Sequence, residues 1–252
     1  MTINVPTQKQ LPPLRALWQQ TFGDPDVFWD TFFQDAFSPD RTRCVFREEE
    51  PVAALCWFDT HWEGKRLAYI YAVATRSDMR GQGICSRLMA DTHKHLAASG
   101  YAGAVLVPAE DNLFPFYRKM GYRPFGGATR FCAPCGNEKA NVQEISPAQY
   151  LALQQSYLPE GSVLHQAQTL SFYGNFVKYY KGDDCLFVAG LENEKLDILE
   201  FFGDRTHAPS VVAYFGCETG RFLTPTGTEP FAMCRLFSES DRLPAAFGIS
   251  LV

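Results

Sequence analysis

The most informative segment of this chain is Ala72-Val-Ala-Thr-Arg-Ser-Asp-Met-Arg-Gly-Gln-Gly-Ile-Cys-Ser-Arg-Leu-Met89. A strand pattern ends within it, a polar turn with Gly81 and Gly83 follows, and an amphipathic helix then begins. The first N–H groups of a helix lack partners within the helix and carry a partial positive charge. Glycine lets the backbone adopt unusual dihedral angles and approach a ligand closely. Together with Arg80, the turn predicts a cradle for a pyrophosphate group.

Two common phosphate-binding loops do not fit this turn. A Walker loop requires Gly-Lys-Ser/Thr, which is absent after Gly83. A GxGxxG dinucleotide turn requires a third glycine, and none follows at that spacing. Nucleotide binding is therefore the weakest of the functional hypotheses.

The turn resembles the acyl-CoA signature of the GCN5-related N-acetyltransferases (GNAT), R/Q-x-x-G-x-G/A, and reads Arg80-Gly-Gln-Gly-Ile-Cys85. Cys85 stands where glycine or alanine is usual, so its main-chain N–H is retained while a larger side chain lies near the cofactor. Downstream, Asn112-Leu-Phe-Pro-Phe-Tyr-Arg-Lys-Met-Gly-Tyr122 is similar to the family's N…FYxxxGF segment. The resemblance covers about residues 11–135.

This resemblance implies acetyl-CoA as cosubstrate and no metal. Main-chain groups near Val73 and Thr75 would hold the acetyl carbonyl and pantetheine, and the loop N–H groups would hold the pyrophosphate. Tyr117 matches the family tyrosine that protonates the departing thiolate, a role that suits a phenol. The implied cofactor-binding residues are Val73, Ala74, Thr75, Arg80, Gly81, Gln82, Gly83, Ile84, Cys85 and Asn112.

The acceptor would be a primary amine of a small molecule or peptide, and such an amine must lose a proton before it attacks. The candidate bases, which the sequence does not rank, are Asp59, His61, Glu63, Glu110 and Asp111. In tandem relatives the C-terminal carboxylate can enter the site, which adds Val252. Aromatic residues of the segment 11–36 fall where the family has its acceptor groove, although core packing accounts for most of them. His93 and His95 are interpreted as surface residues.

The expected fold is α/β, with a mixed, mostly antiparallel central sheet flanked by helices. Apolar periodicity and turn residues predict its elements. The predicted helices are 11–22, 25–36, 82–98 and 112–120, and the predicted strands are 43–48, 51–60, 65–75 and 102–108, followed by one more strand.

The sequence changes in character beyond about residue 138. Residues 146–180 are predicted to be mostly helical, and short strands are predicted at 185–190, 196–202, 210–216, 221–225 and 231–237. We therefore predict a catalytic domain at 1–137 and a smaller α+β domain at 138–252 without a cofactor loop. This second part more loosely resembles the degenerate acetyltransferase-like domain of tandem enzymes of the enhanced-intracellular-survival type.

Composition sets the remaining limits. The 252 residues include 46% hydrophobic and 14% aromatic residues and carry a formal net charge of -5, which is typical of a globular protein and unfavourable for nucleic-acid binding. The sequence starts without a signal-peptide pattern and has no apolar run of membrane-spanning length, so we expect a cytoplasmic protein without a membrane partner. The pair Cys132-x-x-Cys135 has no second ligand pair, which argues against zinc.

Two alternatives to an N-acetyltransferase stay open. The chain could be a non-catalytic acyl-CoA-binding sensor or interaction module, since Cys85 departs from the signature and no base is identified. It could also be an acyltransferase that uses a different acyl donor. The sequence does not indicate an oligomeric state.

Overall fold

The computed structural model describes residues 1–239 and 242–250, and the chain forms two compact units. The described residues of unit 1 are 1–106, 110–123 and 233–239, and those of unit 2 are 107–109, 124–232 and 242–250. The predicted division at residues 137 and 138 stays a prediction. We note that residues 124–137, on its N-terminal side, lie in unit 2.

Unit 1 contains a mixed sheet with helices on it. Its elements are β1 Thr2–Asn4, α1 Leu11–Phe22, α2 Asp26–Asp35, β2 Thr42–Arg47, β3 Glu50–Trp62, β4 Lys65–Thr75, α3 Ile84–Ala98, β5 Gly103–Leu106 and α4 Phe114–Arg118. The strands follow the order β1-β2-β3-β4-β5, and residues 233–236 then pair antiparallel with β5. Only β4 and β5 are parallel neighbours in this unit's sheet as described. The predicted fold class, an α/β fold with a mostly antiparallel sheet, is confirmed.

Alternating side chains of β4 face two different layers, as the pleat of a strand requires. Ala68 and Ile70 join the buried cluster that also contains Leu88 and Met89 of α3. Tyr71 follows Ile70 directly and lies with Tyr69 on the other face, where it contacts Phe32 of α2, with ring centroids 6.4 Å apart. Helix α3 therefore packs on one face of β4, and the α1–α2 pair covers the other.

The prediction that His93 lies on the surface is wrong. His93 is buried in the helix face that also presents Met89 and Leu96, at the spacing that one face of a helix requires. Its Nε2 atom lies 2.8 Å from the hydroxyl oxygen of Tyr122. Burial, and then Arg235 nearby, lower the pKa of His93 to about 3, so the ring is neutral at pH 7. His95 is half-buried, and its ring lies 5.8 Å from that of Trp57.

Unit 2 also contains a mostly antiparallel sheet. Its elements are β6 Arg123–Pro134, β7 Val142–Ile145, α5 Pro147–Tyr157, β8 Leu164–His165, α6 Ala167–Tyr173, β9 Lys178–Gly182, β10 Leu186–Glu192, β11 Lys195–Phe202, α7 Ala208–Phe215 and β12 Thr219–Leu236. The strand order is β7-β9-β10-β11-β12, with β6 also paired to β12. Strand β12 ends in unit 1, where it contributes residues 233–236.

The predicted strand at 210–216 is wrong, because this segment lies in helix α7. Pro209 occupies the first turn of α7, where its missing N–H costs nothing, and Gly216 ends the helix in the left-handed conformation at φ 71. Segments 221–225 and 231–237, predicted as two strands, lie largely within the single strand β12. Within 146–180 only α5 and α6 are α-helical, and residues 178–180 belong to β9.

A buried carboxyl group lies inside unit 2. Glu200 on β11 is fully buried, and its Oε2 accepts hydrogen bonds from the Tyr150 hydroxyl at 2.5 Å and from Gln154 Nε2 at 2.6 Å. The main-chain N–H of Ile249 also donates to this carboxyl group. Burial nevertheless raises the pKa of Glu200 to about 7, because the free-energy cost of removing the charged carboxylate from water exceeds the stabilisation by these donors.

Candidate functional site

The loop before α3 has the conformation that the phosphate-cradle prediction requires. Gly81 and Gly83 both have left-handed φ angles, 75 and 71, which side chains strongly disfavour. Gly83 is the N-cap of α3, and the first main-chain hydrogen bond of the helix is donated by the Arg87 N–H to the Gly83 carbonyl at 3.1 Å. The N–H groups of residues 83–86 therefore have no acceptor within the helix. A Cβ at Gly81 or Gly83 would meet nothing within 4 Å, so the loop faces open space.

Strand β4 leaves its neighbour β5 halfway along. The parallel pairing covers only Leu67, Ala68 and Tyr69, whereas β4 continues to Thr75. Residues 70–75 lie beyond this pairing and present a strand edge. Such an edge offers main-chain donors and acceptors to an extended ligand.

A bulge interrupts β4 at the same place. Between the pairs Ala54–Ala74 and Cys56–Tyr71, β3 has one residue and β4 has two, Ala72 and Val73. Ala72 adopts φ 50, a left-handed angle that is unusual for alanine. The Ala72 carbonyl accepts a hydrogen bond of 2.8 Å from the indole Nε1 of Trp18 on α1.

The end of β4 contacts both the loop and the first turn of α3. Arg80 Nε donates to the Thr75 carbonyl at 3.1 Å. The Cys85 thiol is hydrogen-bonded with the Thr75 side chain, although burial is the larger effect and raises the pKa of that thiol to about 11. Cys85 is therefore a protonated thiol at neutral pH. Its side chain lies in the first turn of α3 and packs against the buried cluster that contains Leu88 and Met89.

Tyr117 on α4 lies on the same side of the sheet. It belongs to the buried cluster that contains Ile70 of β4, and Cys85 packs against that cluster. Burial first, and then the neighbouring Cys85, raise the pKa of Tyr117 above the usual value for a phenol. The hydroxyl consequently keeps its proton at neutral pH and can donate a hydrogen bond to an anion, although the shift weakens it as an acid.

The other predicted cofactor residues differ in what they can offer. Gln82 is exposed and Val73 is half-buried, whereas Ala74 and Ile84 are buried, so these last two can contribute only main-chain groups. Asn112 is exposed in the turn before α4, and its Nδ2 donates to Glu110 Oε2 at 2.9 Å.

The base candidates on the β3–β4 hairpin lie at the wrong end of β4. Asp59 pairs with Ala68 and His61 with Arg66, so at about 3.3 Å per residue Asp59 is roughly 17 Å along the strand from Val73. Asp59 also accepts hydrogen bonds from the Tyr101 hydroxyl and from Arg66. Glu63 lies in the hairpin turn. Glu110 and Asp111 are exposed beyond the end of β5 and stay candidates, and Val252 lies outside the described residues.

The aromatic residues of α1 and α2 form a packed cluster. The rings of Trp18 and Trp29 stack with centroids 5.7 Å apart and an interplanar angle of 7°. Trp18, Trp29 and Phe32 are buried, whereas Phe22 is exposed. The first three are core residues and do not line an open pocket.

Sequence reasoning missed two contacts in this region. The hydrogen bond between Trp18 and Ala72 joins residues 54 positions apart. It depends on a bulge that the ordinary sequence Ala72-Val73 does not predict. The His93–Tyr122 bond was detectable in part, since His93 follows Met89 by four residues on the apolar face of α3.

Comparison with known proteins gives a family match and several similar folds. Residues 2–125 match the family profile described as an acetyltransferase (GNAT) domain. A GCN5-related N-acetyltransferase from Kribbella flavida shares 20% identity and a TM-score of 0.71, with 93% of this chain and 70% of that chain covered. One from Anabaena variabilis shares 16% identity and a TM-score of 0.68, with 94% and 73% covered.

Eis1 from Mycobacterium abscessus shares 13% identity and a TM-score of 0.64, with 94% of this chain and 74% of that chain covered. At these identities the likeness shows the fold alone. The search of curated proteins returned no match. In the part of the chain that the structure describes, we find no helix long and apolar enough to cross a bilayer. Residues 2–125, which carry the β4 bulge, the α3 loop and Tyr117, belong to the acetyltransferase (GNAT) domain family.

Proposed function

We propose that this protein transfers an acetyl group from acetyl-CoA to a primary amine of a small molecule or peptide. One observation carries the proposal, namely that Thr75 joins the open edge of β4 to the α3 loop through Arg80 and Cys85. A strand edge and a helix N-terminus that meet in this way suit a ligand with an extended amide arm and a pyrophosphate. The cytoplasmic location expected from the sequence is part of the proposal.

The loop and helix supply the anion site. Main-chain N–H groups from Gly81 to Cys85 would donate to pyrophosphate oxygens, and Arg80 adds positive charge at the loop. The first turn of α3, Ile84-Cys-Ser-Arg87, contains no acidic residue that would repel an anion. The residues present therefore fit the phosphate part of acetyl-CoA.

The strand edge and Tyr117 supply the reaction site. Acetyl-CoA brings a thioester, which is an activated acyl group. The Val73 N–H at the bulge would donate to the thioester carbonyl and stabilise negative charge on that oxygen during attack. The Tyr117 hydroxyl would donate to the departing sulfur, and it retains its proton for this purpose.

The acceptor amine must reach this site in its neutral form. Glu110 and Asp111, exposed beyond β5, are the remaining candidates for taking its proton, directly or through water. The acidic net charge of -5 favours a cationic acceptor over a nucleic acid.

A thiol-release assay with acetyl-CoA and a panel of amines, polyamines, aminoglycosides and peptides tests the proposal. We expect amine-dependent release of CoA and a matching acetylated product by mass spectrometry. Binding of acetyl-CoA without release for any amine would instead favour an acyl-CoA sensor. Preferential turnover of longer acyl-CoAs would favour a different donor.

A further inference from the structure

The hydrogen bond between Trp18 and Ala72 stands out in the aromatic cluster of α1 and α2. Trp18 is fully buried, and its indole N–H donates to a carbonyl of the β4 bulge. Trp29 stacks on it and is equally buried, yet its Nε1 finds no hydrogen-bond partner among the described residues. Two neighbouring tryptophans in one environment thus differ in a single polar contact.

The bond sets the direction of the next N–H group. The carbonyl of Ala72 and the N–H of Val73 belong to one planar trans peptide and point in opposite directions. Trp18 holds the carbonyl towards α1, so the Val73 N–H points away from α1. The opposite face of β4 is the one that carries α3, Cys85 and Tyr117.

The backbone at the bulge needs such support. Alanine at φ 50 costs free energy compared with an extended conformation, and a bulge without a fixed partner can relax into regular pairing. The indole is itself held by rings on several sides, including Phe32 at 5.6 Å in an edge-on arrangement. The donor is therefore rigid.

We propose that Trp18 is a positioning residue for acyl transfer, since its indole N–H orients the Ala72–Val73 peptide so that the Val73 N–H can bind the thioester carbonyl. This inference rests on the proposed function. Trp18 lies outside the phosphate loop and would govern the recognition of the acyl group.

The test compares Trp18→Phe with Trp29→Phe in the full chain. Both variants remove an indole from the same buried stack, but only the first removes a hydrogen bond to β4. Calorimetric titration measures the Kd of acetyl-CoA and of CoA for each protein. CoA lacks the acyl carbonyl, so the ratio of the two constants isolates that contact.

We expect the wild-type protein to bind acetyl-CoA about fivefold or more tightly than CoA, the worth of one ordinary hydrogen bond. Trp18→Phe should bring the ratio of the two Kd values close to one and leave the Kd of CoA within about twofold of the wild-type value. Trp29→Phe should keep the wild-type ratio. In turnover, Trp18→Phe should lower kcat by about tenfold or more, because an oriented donor acts most strongly on the developing oxyanion.

Equal ratios in the two variants would overturn the role of Trp18 while leaving the proposed function intact. Failure of the wild-type protein to bind acetyl-CoA would overturn both. If Trp18→Phe does not fold, site-specific replacement of Trp18 by 3-benzothienylalanine removes the N–H and preserves the ring shape. A retained acetyl-CoA preference in that protein would also contradict the proposal.

Discussion

Replacing Glu200 by glutamine tests the energetics of unit 2. The pKa of Glu200 is raised by burial from an ordinary 4.5 to about 7. The folded state therefore binds the proton more tightly than the unfolded state. The stability associated with this group is fully present below about pH 4.5 and is lost as the pH rises through about 7.

The size of the effect follows from the shift. A difference of about 2.5 pKa units corresponds to roughly 3.5 kcal/mol at about 1.4 kcal/mol per unit. Glutamine stays neutral, accepts from Tyr150 through its carbonyl, and can offer its amide to the Gln154 Oε1 atom, which has no partner among the described residues. As the pH rises from about 4.5 to about 9, the stability of Glu200→Gln relative to the wild-type protein should increase by about 3.5 kcal/mol.

Hydrogen exchange of amides in β10 and β11 at several pH values measures the opening free energy of this unit. Glu192→Gln, at an exposed position of β10, removes the same formal charge without touching the buried cluster and serves as control. A stability difference between Glu200→Gln and wild type that does not change with pH would show that burial does not raise the pKa of Glu200. A difference that also appears in Glu192→Gln would trace the effect to net charge.

Three further predictions concern unit 1. Tyr117→Phe should lower kcat by about 10- to 100-fold and leave the Kd of acetyl-CoA within about twofold, measured by thiol release and calorimetry, and an unchanged kcat would remove Tyr117 from the mechanism. Gly83→Ala should cost about 1 kcal/mol in stability and weaken CoA binding. Gly64→Ala, at a similar φ of 72 in the β3–β4 turn, should cost the same stability with no loss of CoA binding. Equal CoA affinity in the two variants would contradict the role of the α3 loop. Burial lowers the pKa of His93 from 6.5 to about 3, so the stability that neutral His93 contributes is present above about pH 6.5 and is lost as the pH falls towards 3. His93→Gln should therefore reduce the pH dependence of the unfolding free energy over that range. An unchanged pH dependence would contradict the effect of burial on His93.

Much of unit 1 could be predicted because its elements carry local signals. The apolar face of α3 recurs at helical spacing, and the β-branched and aromatic run at 65–75 becomes β4 with the predicted bounds. The turn between them resembles a family signature, and residues 2–125 match that family. Here local propensity and tertiary structure agree.

The errors arise where tertiary structure or capping overrides propensity. The run Ser210-Val-Val-Ala-Tyr-Phe215 has the composition of a strand, but Pro209 and Gly216 delimit a helix. The bulge at Ala72 comes from a register shift against β3 and a donor on α1, neither of which is local. The hairpin carboxylate Asp59 was a reasonable base from its position in sequence. Pairing with Ala68 shows that it lies far from the bulge.

A crystal structure of the full chain with bound CoA would test the proposed cofactor site. We expect pyrophosphate oxygens within hydrogen-bond distance of main-chain N–H groups between Gly81 and Cys85, and a pantetheine arm along residues 70–75 of β4 with its sulfur near Tyr117. CoA bound elsewhere, or held without contact to the α3 loop, would contradict it.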